Sequence, residues 1–180
     1  MELISPAVIA YWSALSHHGM TEQLPRTVFV ATDHPVRRQP GDVMGVNYRI
    51  VSLKPDKFFG ITKDWIDETP FSVTDREKTI IDGLDLPQYV GGVSEVVKAL
   101  IGSWKVLDEN KLREYAAKIG NSAVAKRLGY MMETLGMGDG EAFHASIPLA
   151  AGFSPLDPTM PKRGKYNRRW GLLVNTELQS

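Results

Sequence analysis

Residues 73–82 read VTDREKTIID, and at this stretch the chain changes from strand patterns to helix patterns. Before it, short alternating or β-branched segments predict strands, and after it apolar residues recur at the spacing of amphipathic helices. Thr74, followed three residues later by Glu77, matches a capping box, in which two polar side chains cap a helix N-terminus. We therefore expect the first part of the chain to form a sheet and the middle to be helical.

The segments before residue 73 predict one helix followed by strands. A helix is expected to start near Ser5 and Pro6, because serine is a good N-cap and proline suits the first helical position. Gly19 suits the helix C-terminus, where a left-handed backbone is common. Strand patterns cover residues 27–31, 46–53, 57–61 and 64–73, the last being a hairpin that turns near residues 68–70.

Four helices are predicted in the middle of the chain. The first ends before Pro87, the second follows residues 91–92, the third begins near Asp108, and the fourth is capped by Asn121. The last three carry apolar stripes at helical spacing. These stripes consist of Val93, Val96, Val97, Leu100 and Ile101, of Leu112, Tyr115, Ala116 and Ile119, and of Val124, Leu128, Met131, Met132 and Leu135.

The end of the chain is predicted to be irregular apart from one strand. Prolines and glycines break any long element after Gly136, and residues 170–175 read as a final strand. No internal repeat or linker divides the sequence. We therefore predict an α+β fold, a single mixed domain over residues 1–180, with a small N-terminal sheet with hairpins, about four helices and a late C-terminal strand.

The composition excludes several classes of site and protein. The sequence has no cysteine, which excludes disulfides, thiolate metal sites and cysteine nucleophiles. Its 21 basic residues equal its 21 acidic residues, whereas a dedicated nucleic-acid-binding domain is usually basic. No apolar run approaches the roughly 20 residues of a membrane span, and residues 1–6 do not resemble a signal peptide. We therefore expect a cytoplasmic protein that does not associate with membranes.

The polar motifs do not assemble into a recognisable active site. His17 and His18 are adjacent, so on a helix they point to different faces and make a poor metal pair. Residues 91–92 are interpreted as a tight turn, because neither glycine-rich phosphate motif is present. We predict no catalytic residue, no metal and no cofactor, and we expect at most two of the four tryptophans to be exposed anchors.

The clearest charge asymmetry is a basic stretch at residues 162–169 that contains no acid. Its cations are Lys162, Arg163, Lys165, Arg168 and Arg169. They fit a surface that meets phosphates or an acidic protein face, and they also fit an ordinary solvated loop. Arg37 and Arg38 add to the same surface only if the fold brings them together. Residues 64–85 carry seven acids against two bases, so we predict one acidic and one basic surface, suited to charge-steered protein association.

Five segments of the sequence, taken together, carry a family resemblance. They read YWSALSHHGMTEQLPRTVFV at 11–30, FFG at 58–60, VTDREKTIID at 73–82 with a following Pro87 and GGV at 91–93, KRLGYMME at 126–133, and WGLLVN at 170–175. In this order, and across nearly the whole chain, they resemble the AbiEi family of type IV toxin–antitoxin antitoxins.

The resemblance implies a prokaryotic antitoxin that neutralises a nucleotidyltransferase-like toxin encoded beside it and represses its own promoter. Members usually carry an N-terminal winged helix-turn-helix, but this sequence begins at the helix that should follow that module, which weakens the expectation of DNA binding. The motif residues have structural interpretations. Gly19 and Gly60 suit turns, the Thr74 to Asp82 segment forms a capped and charged helix start, and Arg127 and Glu133 are expected on the exposed side of the fourth helix.

Three functions follow as hypotheses. The first is an interaction module that neutralises its cognate toxin, with or without a stable complex, or assists autorepression. The second is a phosphotransferase that modifies the toxin, with Lys78, Asp82 or Arg127 as the first suspects for its site. The third is a nucleic-acid binder that uses residues 162–169, whose binding should fall steeply with salt.

Overall fold

A computed structural model describes residues 5–178 of the chain. Nine strands occur in this range, namely β1 (Val8–Ile9), β2 (Thr27–Thr32), β3 (Gly41–Val43), β4 (Val46–Ser52), β5 (Ile61–Ile66), β6 (Thr69–Thr74), β7 (Ser154–Pro155), β8 (Lys165–Asn167) and β9 (Leu172–Val174). Six α-helices occur in the same range, namely α1 (Tyr11–His17), α2 (Arg76–Asp85), α3 (Val93–Ser103), α4 (Glu109–Lys118), α5 (Ser122–Leu135) and α6 (Gly140–Ser146).

The strands form two sheets of different size. The larger sheet has the order β3-β4-β2-β1-β6-β5, and the smaller has the order β7-β9-β8. The larger sheet is mixed, because β2 pairs parallel with β4 and β1 pairs parallel with β6, whereas the remaining neighbours are antiparallel. This arrangement confirms the predicted α+β class with its N-terminal sheet, middle helices and late C-terminal strand.

The helices cover one face of the larger sheet, and the alternation along β2 and β4 separates its two faces. Ala31 and Val51 belong to the buried core. Phe29 on the same face of β2 reaches the ring of Tyr89, at 6.0 Å between centroids. The core continues between the helices into the small sheet, where Trp170 is fully buried. Hydrophobic burial therefore joins the two sheets through the helical layer.

The four middle helices occur where the sequence predicts them. Asp108 and Asn121 cap α4 and α5 through their side chains, as their positions indicate. The predicted stripes face the core, except that Ile101 is 36% exposed at the edge of α3. Gly91 and Gly92 have φ angles of +83° and +96°, which explains glycine in the turn before α3.

The predicted start of the first helix is wrong. The helix begins at Tyr11 rather than near Ser5 and Pro6, because Val8 and Ile9 are drawn into the sheet as β1. These two residues hydrogen-bond to strands on both sides, which outweighs the local helix signal. The predicted end is confirmed, since α1 stops at His17 and Gly19 follows with a φ of +66°.

The predicted capping box at the start of α2 is also wrong. The N-cap is Asp75, whose side chain accepts a hydrogen bond from the Lys78 amide at 2.8 Å. Thr74 remains in β6 and bonds the Thr79 hydroxyl instead. Glu77 accepts from the Asp108 amide at 2.9 Å, so it ties α2 to the start of α4. Its role lies between two helices, which no local motif can indicate.

Two further predictions need correction. The strand expected over residues 57–61 is absent, because Pro55–Lys57 forms a short 3-10 helix and β5 starts only at Ile61. The hairpin that follows is confirmed, with β5 and β6 joined at residues 67–68. Helix α6 and the short strands β3, β7 and β8 were not predicted, since the glycines and prolines around them favour a loop.

No helix within residues 5–178 has the length and apolar character to cross a membrane. Of residues 1–6, which we compared with a signal peptide, residues 1–4 lie outside the described range.

Candidate functional site

The charged start of α2 lies in the core. Lys78 and Asp82 form an ion pair between side chains that are 1% and 2% exposed. The Lys78 ammonium lies 4.7 Å from the centroid of the Phe59 ring. Burial raises the pKa of Asp82 to about 6, and the neighbouring Lys78 charge opposes that rise. Both groups are therefore enclosed rather than presented to a ligand.

The neighbouring carboxylates also form ion pairs within the protein. Asp75 and Glu77 both pair with Lys111, at 2.9 and 3.3 Å. Asp85 pairs with Lys57 at 2.6 Å. Of the seven acids between residues 64 and 85, four are thus buried or largely buried in ion pairs, so the predicted acidic surface does not form. Sequence counts the charges of a segment but does not show their partners, and Lys57 and Lys111 come from outside this segment.

Arg127 is not on the exposed side of α5, contrary to prediction. It is 4% exposed, and its guanidinium donates to the main-chain carbonyls of Leu84, at 2.6 Å, and Pro155, at 3.0 and 3.2 Å. These bonds connect α5 to the end of α2, where helical carbonyls lack partners, and to β7. The prediction for Glu133 is confirmed, since this side chain is exposed.

The three residues considered for a phosphotransferase site therefore all make contacts that stabilise the fold. Lys78, Asp82 and Arg127 are each no more than 4% exposed and lie among side chains or main-chain carbonyls that they bind. These contacts hold the charged groups of all three residues inside the core. The predicted absence of a histidine metal site stays a prediction; within residues 5–178 no group of three or more His, Asp or Glu could hold an ion. His17 and His18 instead bond Asp64 and the Thr74 carbonyl, at 2.8 and 2.6 Å.

A second polar region, which we call the cationic cavity, lies between α5, α6 and the small sheet. It has a volume of about 420 Å³, and the basic side chains on its wall are Lys126, His144, Arg168 and Arg169. Of the described residues, none that is acidic lines it. The basic stretch was predicted from sequence and supplies Arg168 and Arg169, whereas Lys126 and His144 were missed.

Lys126 is the innermost charge of the cationic cavity. The residue is only 2% exposed, and its ammonium donates to the Gly152 carbonyl at 2.8 Å. Among residues 5–178 no carboxylate lies within ion-pair distance of it. Burial lowers the pKa of Lys126, as expected when an ammonium leaves water without a compensating charge.

The basic side chains at positions 163–169 fall into two groups. Arg169 pairs with Glu133 at 2.9 Å and with Glu141 at 2.6 Å, so its charge is already balanced. Arg163, Lys165 and Arg168 are exposed and have no ion pair within the described residues. Only Arg168 among these three lines the cavity.

The fold does not unite Arg37 and Arg38 with the basic stretch. Both lie in the loop between β2 and β3, and Arg38 borders a separate concavity on the face of the larger sheet opposite the helices. This concavity, which we call the open sheet face, has a volume of about 770 Å³. Its floor is apolar and includes Ile9, Val28, Val30, Tyr48 and Ile50.

The tryptophans divide as predicted. Trp170 is fully buried and Trp12 and Trp104 are partly buried, whereas Trp65 on the edge strand β5 is 62% exposed. Within the described residues, one of the four is thus available as an exposed anchor.

Comparison with known proteins finds similarity at the level of the fold. No family model matches the chain, and no curated protein matches it. The crystal structure of the RV2827C protein from Mycobacterium tuberculosis is similar, with a TM-score of 0.64 at 14% identity. The similar region covers 92% of this chain and 61% of that one, so the chain spans less than two thirds of the length of that protein.

Proposed function

We propose that this chain is an antitoxin-type interaction domain that neutralises a nucleotidyltransferase-like toxin by binding it and contributes to autorepression. The resemblance of five sequence segments to AbiEi antitoxins supports this function. The observation that carries it on the structural side is the open sheet face, a concave apolar surface of a kind that marks interaction sites.

A sheet face that is exposed only to water normally carries polar side chains, alternating with apolar residues that face the core. Here the residues on both faces of β2 are apolar over much of the strand. Val28 and Val30 line the open sheet face, while Phe29 and Ala31 pack against the core. Tyr48 and Ile50 extend the same surface across β4, because they pair with Val28 and Val30 in register. A covering partner would therefore bury apolar area.

The rim of the open sheet face gives the partner a charge preference. Arg37 and Arg38 are exposed and have no ion pair within residues 5–178. Arg38 lines the concavity, and Arg37 precedes it in the same loop. The partner that fits is a toxin segment with apolar side chains toward the sheet and a carboxylate at the arginine rim. Charge at the rim mainly controls the association rate and the choice of partner.

The test is growth rescue in cells that express the toxin encoded beside this gene. The wild-type chain should restore growth. Tyr48→Glu places a charge on the open sheet face, and Arg38→Glu reverses the rim charge, so both should reduce rescue. Tyr166→Glu is the matched control, because Tyr166 is 65% exposed on the small sheet and lies away from this face.

Lack of rescue by the wild-type chain, with both proteins soluble and expressed, would contradict the antitoxin function. Full rescue by both Tyr48→Glu and Arg38→Glu would keep the function but reject the open sheet face as its surface. An ATP-dependent gain of mass on the toxin would replace binding with the phosphotransferase alternative.

Exposure of Arg163, Lys165 and Arg168 supports a second candidate, binding of nucleic acid. Affinity should fall linearly on a logarithmic salt scale, in proportion to the phosphates contacted. Replacing Arg163, Lys165, Arg168 and Arg169 with alanine should remove binding. Unchanged affinity in this variant would end the nucleic-acid hypothesis.

A further inference from the structure

We propose that the cationic cavity binds the phosphate group of a nucleotide, with Lys126 at its base and Arg168 at its entrance. The site is separate from the open sheet face, since it lies between α5, α6 and the small sheet. The proposal therefore stands or falls independently of the proposed toxin-binding surface.

The strongest argument is the unbalanced charge of Lys126. A buried ammonium is costly unless an anion compensates it. Lys78, the other buried lysine, has Asp82 for this purpose. Within residues 5–178, Lys126 has only the Gly152 carbonyl, and its side chain borders the cavity. An anion in the cavity would supply the missing partner.

The surroundings of Lys126 favour an anion with several acceptor oxygens. The Arg168 guanidinium is free of ion pairs among residues 5–178 and offers the planar donor set that suits phosphate. His144 adds a ring whose Nε2 donates to the Arg169 carbonyl at 3.1 Å, because a carbonyl oxygen only accepts. In the part of the chain that the structure describes, no acid on the cavity wall competes for these groups.

The backbone around the ammonium is shaped for close approach. Gly171 has a φ of +59°, and a Cβ atom there would lie 2.9 Å from the Gly152 carbonyl oxygen and 3.1 Å from the Lys126 ammonium nitrogen. A side chain at this position would therefore crowd the ammonium. Glycine keeps the base of the cavity accessible, a common reason for glycine where a backbone approaches a ligand.

The rim of the cavity provides an aromatic surface for a base. Phe153 lines the cavity and is 51% exposed. Its ring contacts that of Tyr166 at 4.7 Å between centroids, in an edge-to-face arrangement that steadies both. Bases stack on exposed aromatic side chains without strong sequence preference. A volume of about 420 Å³ accommodates a small ligand. A nucleoside monophosphate matches this combination of charge, aromatic rim and size.

The test is titration calorimetry with three probes, AMP, inorganic phosphate and adenosine. We expect AMP to bind at least about tenfold more tightly than adenosine, because charge-assisted bonds to phosphate should dominate. Arg168→Gln should weaken AMP binding by about tenfold or more, and Lys126→Met should weaken it further. Arg163→Gln is the matched control, since it removes the same charge from the same basic stretch but lies outside the cavity.

Binding of AMP and phosphate with equal affinity would support the phosphate site and overturn the role of Phe153. Equal loss in Arg163→Gln and Arg168→Gln would overturn the site, because it would indicate diffuse charge attraction. Undetectable AMP binding would also overturn it. Arg168 is exposed, so its variant is expected to fold, and circular dichroism of Lys126→Met checks that variant separately.

Discussion

Lys78 and Lys126 are almost equally buried, at 1% and 2% exposure, yet their regions differ. Lys78 faces Asp82 and an aromatic ring inside the helical core. Among the residues that the structure describes, Lys126 bonds only the Gly152 carbonyl beside the cationic cavity. The difference shows that burial alone does not distinguish a structural charge from one available to a ligand. The partner of the charge makes that distinction.

The largest expected effect comes from breaking the buried pair. Lys78→Met should lower the free energy of unfolding by about 3–5 kcal/mol, because it leaves Asp82 buried without its cation. Urea denaturation measures this loss. Lys78→Met combined with Asp82→Leu should recover most of it, since neither charge then remains in the core.

The equivalent change at Lys126 sharpens the comparison. Lys126→Met should change the free energy of unfolding by less than about 2 kcal/mol, because it removes an unbalanced charge and one hydrogen bond together. If it destabilised the protein as much as Lys78→Met, the two lysines would have equivalent structural roles and the comparison would fail.

A smaller effect is expected where the small sheet packs on α5. A Cβ atom at Gly129 would lie 2.1 Å from the buried Trp170 ring, so Gly129→Ala should cost about 1–3 kcal/mol. Gly102→Ala in α3 is the matched control, since no atom of residues 5–178 lies within 4 Å of the added atom. That change should stabilise the protein by about 0.5–1 kcal/mol in thermal or urea unfolding. Equal destabilisation by both substitutions would argue against tight packing at Gly129.

The basic stretch allows a finer version of the comparison between balanced and free charges. Arg169→Ala should lower the melting temperature slightly, because it removes two ion pairs that are partly exposed. Arg163→Ala should leave stability within about 0.5 kcal/mol of wild type, since it has no such pair within residues 5–178. Differential scanning calorimetry on both variants tests this, and an equal loss in Arg163→Ala would contradict the division.

The smallest expected effect is the pH dependence of the contribution that Glu133 makes to the free energy of unfolding. The hydrogen bond from the Trp170 indole lowers the pKa of Glu133, and Arg169 adds to this effect. A carboxylate with a lowered pKa in the folded state stabilises that state above its unfolded pKa and loses the effect as pH falls. The stability difference between wild type and Glu133→Gln should therefore shrink below about pH 4. A difference independent of pH would contradict this assignment.

Local signals in the sequence were sufficient for the helical half of the fold. The caps Asp108 and Asn121 and the stripes behind them predicted α4 and α5 without tertiary information. The two-residue strands β1 and β7 were not predicted, because their pairing partners lie elsewhere in the chain. Strands of two residues are too short to show the alternation of polar and apolar side chains that would outweigh a nearby helix or turn signal.

The candidate sites were harder to predict than the fold. Charge density identified Arg168, but Lys126 and His144 join it only because α5 and α6 pack against the small sheet. Arg127 was expected on the surface because an arginine beside an apolar stripe is usually solvated. Its actual partners, the carbonyls of Leu84 and Pro155, are invisible in the sequence because main-chain acceptors carry no residue signature.

Strand β1 has a consequence for the way in which this protein opens and aggregates. Val8 and Ile9 are the sole link, among the described strands, between the β3-β4-β2 and β6-β5 parts of the larger sheet. Detachment of these two residues would create two unpaired strand edges in the middle of the molecule, and such edges recruit other chains. Amide hydrogen exchange should therefore show the two parts as separate cooperative units. Ligands that keep β1 paired in the sheet should suppress aggregation more strongly than expected from the small surface area that they contact.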